Sequence, residues 1–264
     1  MSEINFVREI RNNAVRFPEQ IALRHGKQTR TYAELISDAD LLAKSFRILA
    51  KQGRPLLLSF PNSIQLIEAV LAGFFAGAMV VPLVPEVDIS SLAKQFENAL
   101  LVGKGSFPGN LKRESLAANG FEVCIVDEDS TLSSCVAKMI GVLDGEEPPL
   151  IDGDDAALLL CTSGSTGIPK TAEHSYQTLD LLCCDLVSRL AYKSTDSSLV
   201  ALPILRPFCL TSQILPALFS GSTLVIQNGF NASDVAEAIA GEGITRLYLY
   251  GHMYRELTIL PDSP

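Results

Sequence analysis

The sequence predicts an α/β protein in which parallel β-sheets are layered with helices, and three observations carry that expectation. Short apolar runs of strand length, among them Pro55–Phe60, Ala156–Leu160 and Thr223–Ile226, alternate along the chain with longer helical patterns. Apolar residues make up 47% of the 264 positions and charged residues 19%, a balance that supplies a core and argues against disorder. A loop rich in glycine and hydroxyls follows the strand at 156–160, at the carboxyl end where parallel sheets present ligand sites. The length allows one large domain or two small ones.

Residues 3–16 place Phe6, Ile10 and Ala14 on one helical face and stop at Phe17-Pro18. Ile21–Leu23 and the stretch around Thr29 flank His25-Gly26-Lys27, a short hairpin with His25 as a solvated turn residue. Thr31 and Glu34 have capping-box spacing, and Leu35, Leu42, Phe46 and Leu49 line the helix that follows to about Ala50. A strand over Pro55–Phe60, a helix from Pro61-Asn62 to about Ala76 and a strand at Met79–Leu83 come next. Further along, a helix is expected from about Ile89 to Leu101, a strand from Phe121 to Val126 and a helix over 131–141. Asp144–Asp155, with two prolines and two glycines, marks a sub-boundary. Beyond the glycine loop a helix is expected from about Ser175 to Leu190 with Leu179, Leu182, Leu186 and Leu190 as its apolar stripe. The remaining expectations are strands at Leu199–Pro203, Thr223–Ile226 and Thr245–Tyr250, with helices at 211–219, at 232–241 and at the end.

The net charge of −9 gives no general attraction to nucleic acid or anionic membrane. Six cysteines show neither a C-x-x-C pair nor zinc spacing, which fits a reducing cytosol, and no metal site is read from the sequence. Cys161 and His174 flank the glycine loop, but no third group is placed to orient the histidine for nucleophilic chemistry. Arginines at 8, 11 and 16 break any signal-peptide pattern, and the apolar stretch Ala69–Val84 is shorter than a span and interrupted by Gly73, Gly77 and Pro82. A cytoplasmic protein without a membrane span is the expectation.

The chemistry-bearing stretch is Cys161-Thr162-Ser163-Gly164-Ser165-Thr166-Gly167-Ile168-Pro169-Lys170. Two glycines let backbone N–H groups approach an anion, four hydroxyls add donors, and Lys170 adds a mobile positive charge. Strand, polar loop, lysine and then helix form a phosphate cradle in physical terms. The spacing of Gly164 and Lys170, and Pro169 before the lysine, exclude the G-x-x-x-x-G-K-[ST] loop of other nucleotide-binding proteins.

The string T-S-G-S-T-G-x-P-K resembles the phosphate-binding signature of the adenylate-forming superfamily, which holds acyl- and aryl-CoA ligases, peptide-synthetase adenylation domains and luciferase. T-Y-A-E-L at 31–35, F-A-G-A-M-V-V-P-L at 75–83, Leu202–Arg206 and Gly221–Val225 are similar to its other segments in the same order. The resemblance covers nearly the whole chain and implies the N-terminal portion of an AMP-binding domain over 1–264. It also implies that Thr162, Ser163, Gly164, Ser165, Thr166 and Gly167 wrap the triphosphate of ATP and that Lys170 pairs with the departing pyrophosphate. The reaction it implies is attack of a small carboxylic acid on the α-phosphate, with Mg²⁺ sharing the phosphate charge. The acyl- or aryl-adenylate then passes to the thiol of CoA or of a carrier protein.

Two departures qualify that picture. Arg206-Pro207-Phe208-Cys209 stands where the family more often has histidine or an aromatic followed by glycine. Arg206 has two readings, a contact to a substrate carboxylate or phosphate or a surface arginine. The family's later adenine, ribose and metal-associated segments and its C-terminal domain have no counterpart before Pro264, so the chain alone is expected to show little or no adenylation. A missing C-terminal portion or a partner subunit would complete it. The alternative is a non-catalytic interaction or regulatory protein of the same fold.

Overall fold

The computed structural model describes residues 5–84, 96, 98–104, 116–117, 120–126, 131–144, 149–162 and 170–260. They fall into two compact units, Met1–Val7, Ile36–Pro61 and Gln65–Asp180 in the first and Arg8–Leu35, Asn62–Ile64 and Leu181–Pro264 in the second. The stretch 144–155 lies within the first.

The first unit is built on a six-stranded sheet. Its strands are β3 (Leu56–Ser59), β4 (Val80–Pro82), β5 (Leu100–Gly103), β6 (Glu122–Ile125), β7 (Ala156–Thr162) and β8 (Lys170–Ser175), in the order β6-β5-β3-β4-β7-β8. All neighbours are parallel except β7 and β8, which pair antiparallel. Leu56, Leu57 and Leu58 of β3 and Leu100, Leu101 and Val102 of β5 are fully buried, the continuous apolar pattern of central parallel strands. Helix α3 (Ile64–Ala76) joins β3 to β4. It approaches the sheet so closely that a Cβ at Gly73 would lie 2.5 Å from Val80 Cγ2. A ring cluster fills the core: Phe6 meets Phe74 edge-on at 5.7 Å and stacks on Tyr176 at 6.0 Å. The Tyr176 hydroxyl donates to the Phe74 carbonyl at 3.1 Å, and burial raises its pKa above the ordinary tyrosine value. Helix α4 (Leu132–Ile140) is capped by Thr131, whose Oγ1 accepts from the Ser134 N–H.

The second unit carries a five-stranded sheet in the order β11-β9-β10-β1-β2. Its strands are β1 (Ile21–His25), β2 (Gln28–Thr31), β9 (Ser197–Val200), β10 (Thr223–Ile226) and β11 (Arg246–Leu247). Only the β1–β2 hairpin is antiparallel. Asn13, on helix α1 (Asn5–Arg16), is buried and donates to the carbonyls of Leu218 and Phe219 at 2.8 and 3.2 Å. These are carbonyls in the last turn of a short helix (Leu215–Ser220) that Gly221 closes with φ +79°. Helix α2 (Tyr32–Lys51) opens with the expected capping box: the Thr31 N–H donates to Glu34 Oε2 at 2.8 Å and the Glu34 N–H to Thr31 Oγ1 at 3.2 Å. The Tyr32 hydroxyl donates to the Ser222 carbonyl at 2.7 Å.

Parallel sheets with helices are thus the observed architecture, and several elements differ from expectation. The residues given to a helix ending at Leu101 lie largely outside those described, but Leu100–Gly103 form a strand. The strand expected over Thr245–Tyr250 shortens to Arg246–Leu247. On helix α5 (Tyr176–Arg189) the buried residues are Tyr176, Leu179 and Cys183, whereas Leu190 of the expected leucine stripe is exposed. Among the described residues no helix is long and apolar enough to cross a membrane.

Candidate functional site

The glycine-rich segment joins the two strands of a hairpin. β7 runs parallel to β4, with Val80 opposite Leu158, so Thr162 is its carboxyl end. β8 returns antiparallel, and Thr162 and Lys170 are direct backbone partners at its mouth, with Cys161 opposite Thr171. Of the cradle residues expected from sequence, the backbones of Thr162 and Lys170 are described, and Ser163, Gly164, Ser165, Thr166 and Gly167 lie outside the described residues.

Here the structure corrects the strand–loop–lysine–helix order. Lys170 opens a strand, and helix α5 starts only at Tyr176. Its first N–H groups are already committed: Tyr176 donates to Asp155 O at 3.1 Å, Gln177 to Gly153 O at 2.8 Å and Thr178 to Ser175 Oγ at 3.2 Å. Those partners sit beside the amino end of β7, about 20 Å of strand away from Thr162 at roughly 3.3 Å per residue. The amino end of α5 therefore lies at the opposite end of the β7–β8 hairpin from Thr162 and Lys170. The sequence hid β8 because Lys-Thr-Ala-Glu-His-Ser has the polar make-up of an edge strand rather than an apolar run.

The same ladder separates Cys161 from His174. His174 lies opposite Leu158, three positions from the Cys161–Thr171 pair, which is about 10 Å along the strand. Burial pushes the Cys161 thiol up to about 11, the reverse of what a nucleophile needs. Cys209 is fully buried, and burial pushes its thiol up to about 12. Its Sγ lies 3.7 Å from both the Leu202 carbonyl and Gln213 Oε1. Cys209 is thus a packed core residue.

In the second unit, the segments leaving the carboxyl ends of β9 and β10 are tied together by Asn62. Its Nδ2 donates to Leu202 O at 2.9 Å and Gln227 O at 3.0 Å, and its Oδ1 accepts from the Ile204 N–H at 2.8 Å. All three functions of one buried amide are used. The segment fixed in this way leads to Arg206, a half-buried residue of extended backbone that precedes the short helix Pro207–Cys209. Phe208 on that helix faces Tyr248 and Tyr250, which follow β11, at ring-centroid distances of 6.4 and 6.0 Å. His25 is the half-buried last residue of β1 rather than a turn residue, and its Nε2 is 2.9 Å from Asn228 Oδ1. It lines a cleft of about 520 Å³ with Gln227, Asn228, Asn231, Asp234 and Glu242. Asn62 and the aromatic row carried no signal in the sequence beyond a proline-led turn and scattered rings.

Asp196 and Arg246 brace the far side of this region through a 2.7 Å ion pair. Burial alone would raise the Asp196 pKa, but hydrogen bonds from the Lys193 N–H, Arg246 and Thr245 outweigh it and hold the carboxyl below its ordinary value. Arg246 also lies over the Tyr192 ring at 3.9 Å, and the Tyr192 hydroxyl shares a 2.6 Å hydrogen bond with that of Tyr248.

Comparison with known proteins places these features in context. The family profile described as AMP-binding enzyme matches residues 10–263. A feruloyl-CoA synthase of Amycolatopsis sp. is 30% identical over 251 residues, covering 92% of this chain and 48% of that protein. Among solved structures, a long-chain-fatty-acid–CoA ligase of Archaeoglobus fulgidus superposes with a TM-score of 0.82 at 21% identity, over 97% of this chain and 53% of the other. An O-succinylbenzoate coenzyme A synthetase of Bacillus subtilis, solved with ATP and magnesium ion, does so with 0.73 at 22% identity, over 97% and 67%. The chain spans about half the length of the curated relatives it matches.

Proposed function

The chain belongs to the AMP-binding enzyme family, and from that premise we propose that it carries the triphosphate-binding part of an enzyme that activates a small carboxylic acid with ATP. The observation that carries this reading is the T-S-G-S-T-G-x-P-K string, set between the paired backbones of Thr162 and Lys170 at the carboxyl end of a parallel strand. CoA ligases among the relatives support it.

In this reading the N–H groups of Gly164 and Gly167 and the hydroxyls of Thr162, Ser163, Ser165 and Thr166 hold the β- and γ-phosphates. The acid's carboxylate attacks the α-phosphorus, the bond to the bridging oxygen breaks, and acyl- or aryl-adenylate and pyrophosphate result. Lys170 neutralises the charge that builds on the departing pyrophosphate, a contact strongest in the transition state. Mg²⁺ bound together with the nucleotide would supply further neutralisation of that charge. A thiol of CoA or a carrier protein then attacks the acyl carbon and releases AMP. The groups that complete the site belong to a further portion of the protein or to a partner subunit, and the compartment is cytoplasmic.

The test is MgATP binding by calorimetry to the 264-residue chain and to Lys170→Ala. Loss of the lysine should weaken binding about tenfold or more, and ATP–pyrophosphate exchange by the chain alone should be weak or absent with any acid. Equal affinity in the two proteins overturns the cradle and favours a non-catalytic protein of the same fold.

A further inference from the structure

We propose that the cleft between the end of helix α2 and the strap 149–155 binds a small apolar α-amino acid as its zwitterion. The site lies apart from Thr162 and Lys170, and the proposal does not rest on the adenylation reading.

Three pieces of the first unit build the cleft. Arg47 and Lys51 come from the last turns of α2, Gly77 from the turn after α3, and Pro149, Ile151 and Asp155 from the strap that leads into β7. The space is about 210 Å³, room for about seven waters at roughly 30 Å³ each. That is below the roughly 300–1,000 Å³ of a drug-sized site, so the ligand it fits is small. The strap meets β7 at its amino end, and the length of that strand, about 20 Å, separates Asp155 from Thr162.

The strap is fixed from both ends by the protein itself. The Asp152 N–H donates to Asp155 Oδ2 at 2.9 Å and the Asp154 N–H to Asp152 Oδ1 at 3.2 Å. The carbonyls of Asp155 and Gly153 accept from the Tyr176 and Gln177 N–H groups. At the other end a Cβ added to Gly77 would lie 3.3 Å from Pro149 Cγ and 3.5 Å from Ile151 Cγ1, so the strap runs against bare backbone. A wall held in this way gives up little freedom when a ligand arrives.

The lining carries both signs of charge. Arg47 and Lys51 stand one turn apart on the same helix face, and Arg47 is a guanidinium only 7% exposed. With five N–H donors on the one and three on the other, the pair can meet a carboxylate in addition to partners within the protein. Asp155 brings a negative charge, and a carboxylate that accepts one N–H keeps acceptor sites for an ammonium. Pro149 and Ile151 supply an apolar wall, and Leu150 between them stands 92% exposed. Two cations, one carboxylate and an apolar wall in so small a space match an ammonium, a carboxylate and a short apolar side chain. A plain carboxylate or phosphate would face Asp155 and a plain amine would face two cations, and each mismatch selects against that ligand.

Calorimetric titration of the full chain with L-leucine, glycine, 4-methylpentanoate and 3-methylbutylamine tests this, alongside Arg47→Gln, Lys51→Gln and Asp155→Asn, with far-UV circular dichroism to verify folding. Leucine should bind about tenfold or more tighter than glycine, which lacks the apolar body, and than the acid and the amine that each lack one charge. Arg47→Gln and Lys51→Gln should weaken leucine and 4-methylpentanoate together, and exposed Lys51 carries this arm if the buried arginine is needed for folding. Asp155→Asn keeps an acceptor for the Asp152 N–H. It should weaken leucine about tenfold and bind 4-methylpentanoate at least as well as the parent, a split that a merely structural role would not produce. Absent leucine binding, equal affinity for leucine and 4-methylpentanoate, or equal losses of both in Asp155→Asn each overturn the site. Leucine binding that disappears in Lys170→Ala would place the ligand at the glycine-rich loop and overturn it as well.

Discussion

Asn62 Nδ2 donates to the Leu202 carbonyl at 2.9 Å across 140 residues of sequence. This one bond, with its companions to Gln227 and Ile204, sets the path of the chain between β9 and Arg206. Asn62→Ala would remove the amide donors to two carbonyls and the acceptor of one N–H in a buried site. It should cost about 2–4 kcal/mol, read as a lower urea midpoint at unchanged slope. Asn62→Asp keeps the acceptor but loses both donors and adds a buried charge, so it should be no better than alanine. A loss under about 0.5 kcal/mol in both variants, the size of an ordinary surface change, would show that the clamp contributes little.

Gly221 is under two separate constraints. Its φ of +79° favours glycine, and an added Cβ would sit 2.9 Å from Phe17 Cε2 and 3.3 Å from Asn13 Oδ1. Gly221→Ala should destabilise by about 2–3 kcal/mol. In a Phe17→Leu background the increment should shrink to the conformational part, about 1 kcal/mol. An equal increment in both backgrounds would mean that the ring gives way freely.

Much of this fold was legible because its signals are local. The capping box at Thr31 and Glu34, the leucines of β3 and the Thr223–Ile226 strand all announce themselves within a few residues. What stayed hidden depends on distant partners. β8 is a strand because it borders β7, not because of its composition. Leu100–Gly103 is a short apolar run that periodicity alone cannot assign to helix or strand. On α5, Tyr176 and Cys183 take the buried positions that leucine spacing gave to Leu186 and Leu190, since the neighbours and not the residue type select the buried face. For the site, the phosphate string and Lys170 were readable as a motif. Asn62 was not, because all three of its bonds reach residues 140 or more positions away.

The Asp196–Arg246 pair makes a prediction about acid. Asp196 titrates below its ordinary value of 3.8 in the folded chain. The folded state therefore binds fewer protons than the unfolded one, and the stabilisation is complete above that value and lost as pH falls through the folded pKa. Urea unfolding at about pH 6 and about pH 3 should show a smaller difference in Asp196→Asn than in the parent chain. Arg246→Ala, which strands a carboxylate only 14% exposed, should cost about 2 kcal/mol at neutral pH. An acid-induced loss identical in parent and Asp196→Asn would remove the pair from the account.

The thiols should divide by environment. Cys184 is exposed, whereas Cys161 and Cys209 are buried with thiols raised to about 11 and about 12. Brief alkylation of the native chain at neutral pH, mapped by peptide mass, should label Cys184 well before either of the others. Early labelling of Cys161 would show a reactive thiol beside the loop and reopen the nucleophile reading.

The pairing of Thr162 with Lys170 has a consequence for engineering. Because the ladder fixes where the connecting segment leaves and re-enters, that segment can be treated as a replaceable cartridge. Exchanging 163–169 for a stretch of equal length from another protein should leave the sheet's hydrogen bonds in register. Removing a single residue from within β8 instead would slip the pairs on one side of the cut and turn those side chains to the opposite face. Tolerance to exchange lies between the two strands and ends where the pairing begins.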